Sequence, residues 1–177
     1  MEEERREKMK KIIVMGVSAG AGKSTLAKKM GSILNIPVYH LDTLYWRPGW
    51  VEASPDEFCT AQEEIVQQSE WIIEGNYSST FEVRFPHADA IVYIEKPLLV
   101  CLYRVVKRRI QNHRKTRSDM APGCEEKLDW AFIKFILTTY ANRKKIMAEH
   151  CEKFKKTKKV FILRNKRDIE SFLEELD

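Results

Sequence analysis

Cysteine and glycine are both scarce in this 177-residue chain, and neither is spread evenly. The four cysteines, Cys59, Cys101, Cys124 and Cys151, lie more than twenty residues from one another. No pair has the close spacing of a zinc knuckle or a redox motif, so ordinary reduced thiols and a cytoplasmic setting are expected. The longest apolar run is LLVCLY, Leu98 to Tyr103, far short of the roughly 18 residues a membrane helix needs. Where a secretory leader would carry an apolar stretch the chain reads MEEERREKMKK, so secretion and membrane insertion are not expected. No internal repeat and no Pro/Gly/Ser linker divides the sequence, which predicts a charged extension over 1–9 and one domain over 10–177.

Charge of both signs is plentiful but segregated. Residues 1–100 hold 11 Lys and Arg against 15 Asp and Glu, net −4, whereas residues 101–177 hold 20 against 11, net +9. A basic C-terminal half implies an anionic partner: a nucleotide, a phosphorylated metabolite or a nucleic acid.

The hydrophobic pattern alternates between two periods. Short β-branched runs, Ile12–Met15, Val38–Asp42, Trp71–Gly75, Ala90–Glu95 and Val160–Leu163, read as strands. Between them apolar residues recur at helical spacing: Leu26, Met30, Ile33 and Leu34, then Phe58, Ala61, Ile65 and Val66, then Leu98, Cys101, Leu102 and Val105. Ser54, Pro55 and Glu57 announce the second of these helices as a capping box with proline in its first turn. A long helix is expected from about Glu125 and a closing one over 168–176. From Leu128 to Tyr140 apolar residues cover two faces, which predicts either core burial or a face lent to a partner, so monomer and homodimer both stay open. Strand and helix alternating five times predict an α/β fold with a parallel sheet and helices on both faces. In such sheets ligands bind beyond the carboxyl ends of the strands.

One loop there collects three of the seven glycines. It is GVSAGAGKST: Gly16, Val17, Ser18, Ala19, Gly20, Ala21, Gly22, Lys23, Ser24 and Thr25, set between a predicted strand and a predicted helix. Small residues let the backbone curl so that successive N–H groups converge on phosphate oxygens, and the helix start adds its positive end. Lys23 is placed to reach the β- and γ-phosphates of ATP and Ser24 to ligate Mg²⁺. The usual spacing, G-x-x-x-x-G-K-[ST], puts glycine at position 17, where this chain has Val17. Either the loop is one residue longer or Val17 takes the first position.

Further carboxylates and arginines fall at the same end. Asp42 and Glu74 close the second and third predicted strands, which suits a magnesium shell and an acceptor hydroxyl. Tyr45, Trp46, Trp50 and Tyr77 offer ring surfaces for a base or sugar, or else pack beneath a loop. From Arg104 to Ser118 there are seven basic residues and no acid. Arginine forks spread positive charge around a transferring phosphoryl group, and Arg104, Arg108 and Arg117 are the candidates. Arg84 is a candidate clamp for an anionic acceptor.

The segments GVSAGAGKST, VYHLDTLYWRPGW (Val38 to Trp50), WIIEGNYSST (Trp71 to Thr80), VCLYRVVKRR (Val100 to Arg109) and TRSDMAPGC (Thr116 to Cys124) together resemble the adenylate kinase and shikimate kinase branch of P-loop proteins. Within that branch they are similar to the topology modulation proteins. EGNYSS after the third strand departs from the D-G-[FY]-P-R of adenylate kinases proper. The resemblance implies a P-loop NTPase fold with a five-stranded parallel sheet, a nucleotide on the loop, and a basic lid over about 110–124. It also implies that Asp42 binds the acceptor and takes its proton, that Glu74 holds magnesium through water, and that Arg164 approaches the adenine. Two functions follow: an ATP-dependent kinase acting on a small molecule, or a nucleotide-gated DNA-binding protein, for which no DNA-reading module is present.

Overall fold

The computed structural model describes residues 9–112, 118–125 and 128–176. Its elements in chain order are β1 (Lys11–Gly16), α1 (Lys23–Leu34), β2 (Val38–His40), α2 (Leu41–Tyr45), β3 (Trp46–Arg47), β4 (Val51–Glu52), α3 (Pro55–Val66) and β5 (Trp71–Glu74). Then follow α4 (Phe81–Arg84), between two 3-10 turns, β6 (Ala90–Ile94), α5 (Leu98–Gln111), α6 (Trp130–Phe154), β7 (Lys159–Leu163) and α7 (Lys166–Glu174). Five strands form one parallel sheet in the order β2-β5-β1-β6-β7, and β3 and β4 form a separate antiparallel hairpin.

The three central strands are apolar on both faces because helices cover both. Every residue of β5 and β6 is buried, as is all of β1 beyond Lys11. α1 packs on β1, β2 and β5, and α6 packs on β6 and β7. This is the α/β P-loop NTPase arrangement. The chain leaves β1 in one direction toward β2 and returns on the other side through β6, so the crevice opens at the carboxyl end of β1.

Local signals set several boundaries. Asn35 adopts a left-handed conformation (φ 55°) and closes α1, with its N–H donated to the Gly31 carbonyl. Ser54 and Glu57 form both halves of the capping box that starts α3. Asp129 caps α6 by accepting from the Phe132 N–H at 2.7 Å, so that helix begins at Trp130, later than its periodicity suggests.

Two expectations are corrected, and of the two readings left open for the start of α6 core burial is set aside. The second strand ends at His40, whose carbonyl accepts from the Thr43 hydroxyl at 2.7 Å; Asp42 therefore stands in the first turn of α2 and not at a strand end. The inward position expected of Ala61 belongs to Gln62, a polar side chain tolerated in the core because Thr80 and Arg84 hydrogen-bond to its carbonyl oxygen. The doubly apolar start of α6 is not core: Ile136 is buried, but Trp130 is 72% exposed and Phe135 and Leu137 also face outward.

His150 packs from α6 among Phe81, Phe85 and Phe154, with ring centroids 4.9, 5.7 and 6.4 Å away. Burial and then Lys153 hold its pKa below the ordinary histidine value. The unfolded chain therefore binds this proton more readily, so stability falls as pH drops below about 6.5. In urea titrations between pH 7.5 and 5, His150→Phe is expected to show a shallower loss of stability than the parent.

Candidate functional site

Where β1 ends, two chain segments keep the backbone paired. Val17 donates its N–H to the Ile94 carbonyl at 3.0 Å, which extends the pairing with β6, and Gly75 donates to the Val14 carbonyl at 3.1 Å. Between them the Asn76 side chain closes a reciprocal pair with Gly16: the Gly16 N–H donates to Oδ1 at 3.0 Å and Nδ2 donates to the Gly16 carbonyl at 2.7 Å. Asn76 thus does what a further strand residue would do, and pins the origin of the loop.

Val17 takes the first position of the glycine-rich loop without difficulty. It is fully buried and has a negative φ, and the left-handed conformations fall on Gly20 (φ 78°) and Gly22 (φ 106°) instead. At Gly20 a Cβ would also lie 2.3 Å from the Cys101 carbonyl oxygen, so the loop tip rests directly on the first turns of α5. Gly16 has to be small for another reason, since a Cβ there would come within 2.9 Å of the Lys23 side chain folded over it. Gly22, at the start of α1, has no side chain to occupy that helix's first N–H groups.

Glu74 is the hub beside this loop. Its Oε2 accepts from the Ser24 hydroxyl at 3.1 Å and lies 2.9 Å from His40 Nδ1, while Oε1 is 4.0 Å from Lys23 Nζ. The carboxylate is almost wholly buried, and hydroxyl, imidazole and ammonium together satisfy it. A cleft of about 1450 Å³ runs from here past α2 and the hairpin to α6. That is larger than the roughly 300–1,000 Å³ of an ordinary small-molecule pocket, and leaves room for two ligands end to end.

Beyond Glu74, Asp42 and Tyr77 meet. The Tyr77 hydroxyl donates to Asp42 Oδ1 at 2.6 Å, and burial, then the neighbouring carboxylate, raise the phenol's pKa so that it stays a donor. Tyr45 and Tyr77 pack with ring centroids 4.8 Å apart, and Trp46 and Trp50 at 5.3 Å. The tryptophans also cover Met120, Ala121 and Cys124, a small core separate from the main one. Segment 118–125 is fastened to the hairpin by Gly49 N–H to the Gly123 carbonyl at 3.3 Å and Trp50 Nε1–H to the Glu125 carbonyl at 3.1 Å.

The basic candidates have different fates. Arg104 donates to the Ala21 carbonyl at 3.0 Å and lines the cleft, as does Arg108. Arg117 lies outside the described residues. Arg84 does not face the cleft: it is 0% exposed, and its guanidinium holds Gln62 and Thr80 at 2.6 Å and the Tyr77 carbonyl at 3.3 Å. An arginine one turn beyond Thr80 can reach back under that turn, so it braces the Tyr77 loop from below and cannot clamp a ligand. Arg164 is exposed, approaches Glu95 at 3.8 Å and is not among the residues that line the cleft. His40 and Arg143 escaped the sequence reading. Lone residues within a strand and a long helix carry no spacing signal, though Arg143 lines the cleft and lies 4.6 Å over the Phe135 ring.

No protein-family model and no curated protein matches the sequence. Solved structures do share the fold. Shikimate kinase from Aquifex aeolicus superposes with a TM-score of 0.55 at 14% identity, covering 93% of this chain and 92% of its own. A gluconokinase from Sinorhizobium meliloti does so with 0.52 at 16%, covering 96% and 90%. Deoxyadenosine kinase from M. mycoides, solved with dCTP, gives 0.51 at 15%, covering 93% and 98%. The chain is thus similar in fold to small P-loop kinases along nearly its whole length, and the closer likeness to topology modulation proteins rests on the sequence segments alone.

Replacing Asn76 by alanine leaves the buried Gly16 N–H and carbonyl without partners, for a loss of about 2 kcal/mol or more in denaturant unfolding. Asn76→Asp is expected to fail as a replacement, because it sets a carboxylate oxygen against the Gly16 carbonyl.

Proposed function

We propose that this protein is an ATP-dependent kinase that transfers the γ-phosphoryl group to a hydroxyl of a small molecule. The observation that carries the reading is the convergence of Lys23, Ser24 and Glu74 beside the loop amides, in a cleft that Asp42 also lines. The printed substrates of the fold relatives, shikimate, gluconate by name and deoxyadenosine, are small hydroxyl compounds, which agrees with it. Nothing in the comparisons favours the DNA-gated alternative, and among the described residues no helix is long and apolar enough to cross a membrane.

In this reading the amides of Ser18–Gly22 and the N-terminus of α1 cradle the β- and γ-phosphates, and Lys23 bridges them. The oxygens of Ser24 and Glu74 suit Mg²⁺. Ser24 would ligate the ion and Glu74 would hold it through water, both being hard oxygen donors of the kind Mg²⁺ takes. Bound there, the ion would neutralise charge on the β- and γ-oxygens. His40, on Glu74 Oε2, fixes how that carboxylate presents itself. Asp42, held in orientation by Tyr77, receives the acceptor hydroxyl's proton as the new O–P bond forms and the bond to the β-phosphate bridging oxygen breaks. Arg104 and Arg108 stand along the path of the γ-phosphoryl, where positive charge lowers the barrier. Segment 118–125, docked on the hairpin, serves as the lid that keeps water from the γ-phosphate.

Lys23→Ala is expected to abolish MgATP uptake in calorimetry and to lower phosphoryl transfer by at least about a hundredfold, the size of a lost charge contact to the transferring group. Without acceptor the parent is expected to hydrolyse ATP only slowly. Rapid acceptor-free hydrolysis would mark it as an NTPase switch and sink the kinase reading.

A further inference from the structure

α5 carries two apolar faces, and among the described residues only one of them is covered. Cys101 and Val105 are buried against the body of the protein. On the opposite side Leu99, Tyr103, Val106 and Ile110 are exposed to 78, 65, 41 and 73%. Eight large apolar side chains are exposed in this way among the described residues, and four of them stand on this one helix. Their 4-3-4 spacing keeps them within about 60° of one another around the helix axis. That is the narrow seam of a two-helix coil, not the broad stripe of a helix lying on a core. Arg104 and Arg108 do not border it, since they line the cleft. The bordering cations are Lys107 on one edge and Arg109 on the other, both in the C-terminal half, whereas Val100 and Leu102 border the N-terminal half. A rim basic along its whole length would suit an acidic helix or an anionic membrane surface; here half of the rim is apolar.

We propose that this face of α5 binds a second copy of the chain, the two helices running antiparallel about a twofold axis between Tyr103 and Val106. In that order Tyr103 shares a layer with Val106 of the partner subunit and Leu99 with Ile110 of the partner subunit, each pairing occurring twice, so the seam is its own complement. Lys107 and Arg109 then lay their aliphatic stems over the apolar half of the facing rim and keep their charges in water. A parallel pair would instead gather the basic halves of both helices at one end. The four side chains offer on the order of 450 Å² per copy, short of the roughly 800 Å² of a standard interface, so the dimer is weak and concentration-dependent. It also bears on the phosphate loop. Gly20 packs against the Cys101 carbonyl and Arg104 donates to the Ala21 carbonyl, so pairing braces the helix on which the loop rests. The proposal stands apart from the kinase reading and from any choice of acceptor.

Sedimentation velocity of the full-length protein between about 1 and about 500 µM is expected to show a monomer–dimer equilibrium with a midpoint on the order of tens of micromolar. Leu99→Glu and Ile110→Lys are each expected to raise the dissociation constant at least about tenfold, because each sets a charge against an apolar side chain in two layers. A carboxylate in the first turn and an ammonium in the last suit the ends of α5, so circular dichroism and thermal melting are expected to stay unchanged. Mixed together, the two variants are expected to form dimers at least about threefold tighter than either alone, since antiparallel pairing sets the new carboxylate against the new ammonium. A parent chain that stays monomeric up to about 500 µM, or dimers that neither variant weakens, overturns the proposal. So does a monomer that binds phosphatidylserine-containing vesicles through the same side chains. Weakening by both variants with no recovery on mixing overturns the antiparallel order and the self-complementary seam with it.

Discussion

The double hydrogen bond between Asn76 and Gly16 is the constraint on which the rest of the site depends. β1 runs two residues past its last rung with β5, Val14 opposite Glu74, and the backbone groups of Gly16 at that junction are buried. Left without partners they would favour a shifted register, and a shift would carry Lys23 and Ser24 away from Glu74. One amide side chain answers both groups at once. Its own position is set from behind by Arg84, which pairs with no acid among the described residues and spends its terminal N–H groups on the Asn76–Thr80 stretch and on Gln62. Burial without a counter-ion lowers the pKa of that guanidinium. The buried cation is tolerated because its hydrogen bonds to the oxygens of Gln62, Thr80 and Tyr77 offset part of its desolvation.

The sheet order turns that local device into a site. Because β1 lies between β5 and β6, the loop after β1, the acid ending β5 and the first turns of α5 all open on the same crevice. Gly20 resting on the Cys101 carbonyl and Arg104 donating to the Ala21 carbonyl tie the loop to α5 from two sides. The glycines of the loop therefore serve two ends. Gly20 and Gly22 supply the left-handed turns that aim the amides, whereas Gly16 and Gly20 also make room for a lysine stem and a helix backbone.

Much of this was legible in the residues themselves. The five strands, the capping box of α3 and the strand-loop-helix setting of GVSAGAGKST follow from period, cap chemistry and glycine placement, all of which act over short distances. What the sequence hid depends on distant partners. Gln62 occupies a core position only because Arg84 and Thr80 are there to meet it. Asp42 lies in a helix because β2 stops pairing at His40, opposite Glu74. The hairpin around Gly49 and Trp50 has no Asn-Gly turn to announce it; Trp50 takes a positive φ (67°) while its indole is held by Trp46 and by Glu125 across the cleft. The charge run from Arg104 showed that cations gather near the loop, but not which of them turn inward.

The small core shared by Trp46, Trp50, Met120, Ala121 and Cys124 couples two stretches of chain some seventy residues apart. Being detached from the sheet, such a cluster opens at lower free energy than the strands and does so as one unit. Hairpin and segment 118–125 would then swing as a single door, with the same rings serving as its latch and as the wall of the chamber behind it. A guest that fills the chamber and a substitution that loosens the latch would act on one equilibrium from opposite sides, which would tie residence time to the stability of that cluster.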